Sequence, residues 1–298
     1  MGDLLRDKLN EKGMLLLDSA MGTMLQSVGL TSDDKCDALW NVDPEGRSKI
    51  LQVHRANVDA GSNIIITNTF VSNPRKLAHF GLEDRTEELN QAAVEIAVEA
   101  ADGRAIVCGD LGPSGEILEE WGGQASRQEL VDAYSRQVEG MVAGGAKMVA
   151  LETYMDVEEL LCTLEAVRTV AGDIPVLASM TFGDTPGGIR TMWGLSPADV
   201  AGKLESAGVQ AVGANCGMGS DIMLVVSQEM AGATSLPVAA QPNAGAPRMQ
   251  DGVTVFDETP GQMAEYAVKF RDAGVKLLGG CCGSTPEYIA AAGKNLGL

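Results

Sequence analysis

The stretch Met148-Val-Ala-Leu-Glu-Thr153 leads directly into a helical pattern over residues 156–170, and this unit decides the fold. The stretch is almost continuously apolar, which is typical of a parallel strand covered by helices on both faces. It ends in Glu152 and Thr153, so polar groups follow the strand before the helix begins. Working outward from this unit, we find the same order of elements along the rest of the chain.

Seven other short runs are apolar and end in small or polar residues: Met14–Asp18, Asn63–Thr69, Ala105–Gly112, Pro175–Phe182, Ala211–Gly217, Pro237–Gly245 and Leu277–Gly283. Helical periodicity lies between many of them, over Thr86–Ala101, Ser126–Met141, Pro197–Ala207, Ser220–Ala231, Pro260–Ala273 and Pro286–Asn295. Ser126 followed by Glu129 predicts a capping box. Gly61, Gly144-Gly145, Gly208 and Gly274 are placed where helices should end.

Eight strand–helix alternations with right-handed crossovers favour a single α/β domain, a (β/α)8 TIM-type barrel over residues 1–298. An open doubly wound sheet is the alternative, since periodicity does not distinguish the two. The barrel is favoured because polar residues follow strands from Asp18 to Cys282, and a barrel brings all of these strand ends to one rim.

Composition narrows the class of function. The 298 residues carry a formal charge of −19, with 45% hydrophobic and 21% charged residues. An acidic surface of this kind argues against nucleic-acid binding and against an anionic membrane surface. The N-terminus lacks the apolar segment of a signal peptide, and no run approaches the roughly 20 residues that span a bilayer. We therefore expect a cytoplasmic protein.

The cysteines give the sharpest chemical signal. Gly279-Gly-Cys-Cys-Gly283 ends the eighth predicted strand and Cys216 ends the sixth, so a barrel would bring Cys216, Cys281 and Cys282 together. Three thiolates with one position open suit zinc at a catalytic site. The alternative to metal binding is a structural role, because free cysteines are often small buried core residues. We assign this role to Cys36, Cys108 and Cys162.

The chain resembles the homocysteine S-methyltransferase family, most of all the homocysteine module of cobalamin-dependent methionine synthase. The matching stretches follow one another over nearly the whole sequence: Asp18–Leu25 (DSAMGTML), Asn68–Phe70, Gly109–Ser114, Leu151–Thr153, Gly213–Gly217, Gln241–Gly245 and Gly279–Gly283. The N-terminal motif and the glycine–cysteine motif together make the resemblance specific.

The resemblance implies a role for each matching residue. Cys216, Cys281 and Cys282 correspond to the ligands of one zinc ion, and Asp18 and Glu152 to the acidic residues that hold the substrate ammonium group. Backbone amides of Met21, Gly22 and Thr23 correspond to the part that receives the substrate carboxylate. Asn243 lies in the segment that approaches the metal. Without the resemblance, Asp18 would be read as a helix N-cap and Glu152 as a solvated loop carboxylate.

The implied reaction is methylation of the homocysteine sulfur to give methionine. A free thiol is a poor nucleophile at neutral pH, and zinc makes its thiolate available without a protein base. We expect no bound cobalamin on this chain, because neither histidine lies in an Asp-x-His-x-x-Gly corrinoid signature. We expect no bound folate either, because a barrel of this length leaves no residues for a folate module. A separate methyl-corrinoid protein is therefore the favoured donor.

Other interpretations stay open at this point. S-methylmethionine, betaine or another sulfonium or ammonium compound is the alternative donor. Val71 stands where the betaine branch would be expected to place a caging tyrosine, although Trp40, Trp121, Tyr154 and Trp193 could form a different cage. A different thiol acceptor is also possible. From another class of function, the chain could be a non-catalytic zinc-thiol or corrinoid-protein docking module.

Overall fold

Eight parallel strands form one sheet in the computed structural model, which describes residues 4–31, 34, 36–250 and 253–298. The strands are β1 (Leu15–Leu16), β2 (Ile64–Ile66), β3 (Ile106–Leu111), β4 (Met148–Tyr154), β5 (Val176–Met180), β6 (Ala211–Asn215), β7 (Val238–Gln241) and β8 (Val275–Leu278). Their spatial order is β1-β8-β7-β6-β5-β4-β3-β2, so each strand lies beside its neighbours in sequence and β8 returns to β1.

The sheet closes between β1 and β2 through hydrogen bonds of Asn63, from its backbone and its side chain, and not through regular strand pairing. The Asn63 amide donates to the Leu16 carbonyl at 2.7 Å, and the Asn63 side-chain oxygen accepts from the Leu16 amide at 3.0 Å. The predicted (β/α)8 barrel is therefore confirmed, and the open-sheet alternative is excluded.

Helices surround the barrel. They are α1 (Leu4–Lys12), α2 (Met21–Ser27), α3 (Pro44–Asp59), α4 (Pro74–Ala78), α5 (Thr86–Ala101), α6 (Arg127–Gly144), α7 (Val157–Ala171), α8 (Pro197–Ser206), α9 (Ser220–Ala231), α10 (Pro260–Asp272) and α11 (Pro286–Leu296). Short 3-10 turns lie at Asp37–Asn41, Glu83–Arg85 and Glu119–Trp121. Within the described ranges, no helix is both long and apolar enough to cross a membrane.

The local signals in the sequence have the expected structural basis. Ser126 accepts a hydrogen bond from the Glu129 amide, and Glu129 accepts from Ser126, which completes the predicted capping box. Gly61, Gly145, Gly208 and Gly274 all have positive φ, between 81° and 104°, in the turns that lead from a helix to the next strand.

Among the described elements, the periodicity of the sequence did not predict two hairpins and the helices α1, α2, α3 and α4. The buried face of α3 includes Gly46, His54 and Asn57, so its apolar pattern is weak. One hairpin follows β5 (Gly183–Thr185 with Gly188–Arg190) and one follows β7 (Arg248–Gln250 with Val253–Val255).

The core has two layers, as expected of a barrel covered by helices. Alternate strand residues fill the barrel interior: Leu15, Ile64, Ile66, Ile106, Cys108, Met148, Ala150, Leu177, Ala211, Ala239 and Leu277. The intervening residues pack against the helices. Leu5 of α1 joins the inner cluster, so this helix covers the end of the barrel at which the strands begin. The opposite end, where the strands finish, is left to the loops that carry the candidate site.

Candidate active site

Three cysteine thiols meet at the rim where β6 and β8 end. The sulfur atoms of Cys216, Cys281 and Cys282 all lie within 4.8 Å of one another, and Cys216 Sγ is 3.9 Å from Cys282 Sγ. These residues are partly buried, whereas Cys36, Cys108 and Cys162 lie elsewhere and are at most 6% exposed. The structure thus brings the three predicted ligands together, and the burial predicted for the other three cysteines is confirmed.

The end of β7 and the residues directly after it fix both cysteine-bearing loops. The Cys216 amide donates to the Gln241 carbonyl at 3.2 Å, and the Cys281 amide donates to the Pro242 carbonyl at 2.7 Å. The Ala244 amide donates in turn to the Cys282 carbonyl at 2.9 Å. Because β7 lies between β6 and β8, these bonds draw the two loops over its end and bring the thiols to one point.

The backbone leaves regular strand geometry at each cysteine loop. Cys216 has φ +61°, a left-handed conformation that few residues other than glycine adopt. Gly283 has φ +83°, and a Cβ there would overlap the Phe256 ring. The glycines around Cys281 and Cys282 therefore permit the turn that a regular strand would prevent.

Hydrogen bonding among the thiols favours a thiolate at Cys216. Cys281, Cys282 and the Asn243 side chain donate to this sulfur, and the two thiol donors do most to lower its pKa to about 3. The bonds to Cys216 raise the pKa of Cys281 and Cys282, because ionisation would remove the proton that each of these thiols donates. Three soft donors around one point, with Cys216 the most acidic of them, form a cluster that could hold a metal ion.

Two predicted carboxylates lie beside this cluster. Asp18 follows β1 and is 3% exposed, and its Oδ2 accepts a hydrogen bond from the Ile66 amide at 2.8 Å. Glu152 is 8% exposed, and its Oε1 accepts from Gln241 Nε2 at 2.7 Å. Asp18 is therefore not a helix N-cap, since Ala20 occupies that position before α2, and Glu152 is not a solvated loop residue.

Glu152 enters the site because β4 is irregular at its end. The pairing of β4 with β5 shifts register between Leu151 and Tyr154, and Thr153 between them has φ +62°. Asn215 holds this bend by accepting from the Thr153 amide and donating to the Thr153 hydroxyl, both at 2.8 Å. The residue before Cys216 thus also positions the residue after Glu152.

A third carboxyl, Asp110, was given no role from the sequence although it lies in one of the matching stretches. It is the penultimate residue of β3 and is 5% exposed. Burial raises its pKa most, followed by the charges of Glu152 and Asp18. The pKa of Asp18 is also raised by burial first, and that of Glu152 is raised to about 7, again chiefly by burial. In the sequence, Asp110 is marked only by its position at the end of a predicted strand, which is not specific to a site.

Among the described residues, no basic side chain forms an ion pair with these carboxyls. None of the ion pairs found among the described residues involves Asp18, Asp110 or Glu152. Buried carboxylates are costly unless they are paired, so the arrangement favours a ligand that brings positive charge.

The predicted carboxylate receptor lies close to the cysteine loop. The first helical hydrogen bond of α2 runs from Met24 to the Ala20 carbonyl, so the helix ladder does not use the amides of Met21, Gly22 and Thr23. Thr23 Oγ1 accepts from the Gly283 amide at 2.9 Å. Asn243 is 3% exposed, and its backbone amide donates to the Met218 carbonyl at 3.0 Å.

The four aromatic residues considered for a cage do not come together. Tyr154 is fully buried, and its hydroxyl bonds to Thr163 and Gly112. Trp40 packs under Lys49 at 4.8 Å. Only Trp121 and Trp193 meet, with ring centroids 4.9 Å apart and 18° between the planes. Both are more than 40% exposed and lie in the loops after β3 and β5, on the same rim as the thiols.

Comparison with known proteins agrees with this geometry. The family model for homocysteine S-methyltransferase matches residues 15–296. Methionine synthase of Mycobacterium tuberculosis is 32% identical over 314 aligned residues, which cover 99% of this chain and 26% of that protein. Methionine synthase of Mycobacterium leprae is 32% identical over 289, covering 91% and 23%. The chain thus spans about a quarter of the length of these curated relatives.

A solved structure gives the same result for the fold. The metallated form of the homocysteine methyltransferase MmuM from Escherichia coli superposes with a TM-score of 0.78 at 26% identity, covering 97% of this chain and 98% of that one. The oxidised form gives the same TM-score. On the extent of these matches and the cysteine and carboxylate geometry, the chain belongs to the homocysteine S-methyltransferase family.

Proposed function

We propose that residues 1–298 form one homocysteine-binding (β/α)8 domain, which methylates the sulfur of homocysteine to give methionine. The convergence of three thiols beside buried, unpaired carboxyls carries this proposal. The thiols suit a metal that binds sulfur, and the carboxyls suit the ammonium end of an amino acid. Homocysteine contains both a thiol and an ammonium group.

The metal proposed for the site is a single Zn²⁺ ion held by Cys216, Cys281 and Cys282. Three sulfur ligands within 4.8 Å of one another match the donor set that zinc prefers, and leave a fourth position for the substrate sulfur. Zinc held there would lower the pKa of the substrate thiol, so that a nucleophilic sulfur is present at neutral pH.

The chain's own residues bind and orient the amino acid. Asp18 and Glu152 accept hydrogen bonds from its ammonium group, and the Met21, Gly22 and Thr23 amides receive its carboxylate. Asn243 donates to Cys216 and so stabilises the thiolate ligand. Anchored at both ends, the substrate keeps its sulfur near the cysteines, which lowers the entropic part of the barrier to methyl transfer.

We propose a methyl-corrinoid carried by a separate protein as the methyl donor. The support is the relationship to methionine synthases and the open rim, where a macromolecule could approach the thiols. His54, one of two histidines, is fully buried within α3 and is not placed to ligate a corrinoid.

The test is to incubate zinc-loaded protein with methylcob(III)alamin and to follow the corrinoid spectrum with and without homocysteine. We expect homocysteine-dependent loss of the methyl–cobalt band and formation of methionine, with Cys281→Ser inactive. Methionine absent under all donor conditions, including a corrinoid protein, would contradict the proposed transfer.

The exposed Trp121–Trp193 pair favours a second candidate, a sulfonium or quaternary ammonium donor such as S-methylmethionine or betaine. Aromatic faces attract such cations, and Glu119 and Glu120 precede Trp121 in the same 3-10 turn. Methionine formation from S-methylmethionine without corrinoid, reduced by Trp193→Ala, would support this donor over the first.

A further inference from the structure

The roles proposed so far leave the Asp110 carboxyl unused. Asp110 is 5% exposed, and its Oδ1 is buried without a hydrogen-bond partner among the described residues. A buried polar group without a partner is uncommon in a folded protein and calls for an explanation. A ligand that donates a hydrogen bond to Asp110 when it binds would provide that explanation.

The backbone of Asp110, by contrast, is held firmly. Its amide donates to the hydroxyls of Thr67 and Thr69, at 3.1 Å each, and its carbonyl accepts from Thr69 Oγ1 at 2.8 Å. Gln137 adds a longer contact of 3.4 Å to the same carbonyl. These bonds fix the end of β3 without using the carboxyl, so the carboxyl is not needed as an internal anchor.

Strand topology places Asp110 with the other two acids. Asp18 is bonded to Ile66 at the end of β2, and Asp110 is bonded to Thr67, the next residue. On its other side β3 pairs with β4, where Leu111 is opposite Leu151, the residue before Glu152. The charges of both Asp18 and Glu152 act on the Asp110 carboxyl.

The unused oxygen atoms match one chemical group. Asp18 and Glu152 each have one oxygen engaged by a donor from the chain, at Ile66 and Gln241, which leaves one oxygen apiece. Asp110 contributes a third acceptor. A primary alkylammonium presents three N–H donors and one positive charge, as a lysine side chain does.

We infer that Asp110 is a specificity-determining residue and the third acceptor for the substrate ammonium group, so that Asp18, Asp110 and Glu152 together select a primary amine. This inference rests on the proposed homocysteine site. It predicts that a ligand with fewer N–H groups on its ammonium nitrogen binds more weakly even at the same charge, because each of the three carboxyls accepts one N–H.

The experiment measures equilibrium binding by titration calorimetry on zinc-loaded protein, so that no methyl donor is needed. The ligands are homocysteine and 4-sulfanylbutanoate, which keeps the thiol and carboxylate but lacks the amine. Asp110→Asn replaces the carboxyl by a neutral amide, which keeps one acceptor oxygen but cannot carry the charge. We expect it to weaken homocysteine binding about tenfold, and to change binding of the analogue less than about twofold.

Asp37→Asn is the matched control. Asp37 also acts on Asp110 through its charge, but it lies on the 3-10 turn Asp37–Asn41 and not at a barrel strand end. Its replacement should leave the preference for homocysteine unchanged. A preference that survives in Asp110→Asn would overturn the inference alone, whereas wild-type protein that fails to bind homocysteine would overturn the proposed function itself.

A second measurement needs no variant, should Asp110→Asn fail to fold. N-methylhomocysteine keeps the positive charge but has one N–H fewer. Wild-type protein should bind it at least about tenfold more weakly than homocysteine. Equal binding of the two ligands would overturn the three-acceptor arrangement.

Discussion

Gln241 Nε2 donates a hydrogen bond of 2.7 Å to Glu152 Oε1, across the end of the barrel from β7 to β4. The main-chain carbonyl of the same Gln241 accepts from the Cys216 amide at 3.2 Å. One residue therefore positions both a carboxyl of the proposed ammonium site and a thiol of the proposed metal site. The distance between the sites proposed for the substrate ammonium group and the substrate sulfur therefore depends on Gln241.

The first prediction concerns Gln241→Met, which keeps much of the side-chain volume but removes the amide donor. Burial raises the pKa of Glu152, and the Gln241 bond opposes that shift, so its loss should favour the neutral acid. We expect homocysteine binding to weaken about tenfold, while zinc content stays unchanged. Calorimetry and metal analysis on the same sample test this.

The control is Gln228→Met, which changes an exposed glutamine on α9. Homocysteine affinity and zinc content should both stay at their wild-type values in this variant. If Gln241→Met loses its zinc as well, the residue supports the metal site through its backbone neighbours, and the proposed division of its two roles is wrong.

The second prediction concerns metal affinity. Cys216→Ser, Cys281→Ser and Cys282→Ser each remove one sulfur from the cluster, and each should lower zinc affinity by at least about tenfold, since zinc favours thiolate over hydroxyl. Cys162→Ser alters a buried thiol on α7 and should keep full zinc content. Dialysis against a chelator followed by metal analysis measures the difference. Equal zinc retention in all four variants would rule out the three-cysteine site.

The third prediction concerns Gly283→Ala. Gly283 has φ +83°, and an added Cβ would overlap the Phe256 ring, so backbone strain and overpacking act together. The expected loss is about 2–4 kcal/mol in the free energy of unfolding. Gly202→Ala in α8 is the control, because nothing lies within 4 Å of the added Cβ and alanine favours a helix. Similar urea midpoints for the two variants would contradict the strain argument.

The barrel was predictable because the pattern of buried strands and capped helices is local. Ser126 with Glu129, and glycines such as Gly208, mark helix ends through bonds made within a few residues. The three cysteines could be grouped because strand order alone places β6 and β8 on either side of β7. Strand order also carries polar residues at strand ends to one rim.

The polar contacts within the site were not predictable in the same way. The Gln241–Glu152 bond joins residues 89 positions apart, and it depends on a register shift in β4 that no local pattern encodes. Asp110 gave no distinctive signal, since an acidic residue at a strand end can equally be solvated. Only the three-dimensional arrangement shows that its carboxyl is buried and unpartnered.

His54 gives the last prediction, which concerns stability and pH. The side chain is fully buried in α3, neither ring nitrogen has a hydrogen-bond partner, and burial lowers its pKa from 6.5 to about 4. Below pH 6.5 the unfolded chain takes up a proton that the folded chain does not, so this residue lowers stability as the pH falls from 6.5 towards 4. Below about pH 4 the folded chain takes up the proton too, and the effect levels off.

We therefore expect His54→Leu to be more stable than wild type at pH 7.5, because it removes an unpaired buried polar group. This advantage should grow by about 2 kcal/mol on going to pH 5, since each pKa unit corresponds to about 1.4 kcal/mol. Urea unfolding at several pH values measures it, and the difference between the two proteins cancels the contributions of the buried carboxyls. His79→Leu, at an exposed site, should show no such trend. A His54→Leu advantage that stays constant from pH 7.5 to 5 would mean that His54 is protonated equally in the folded and unfolded chains.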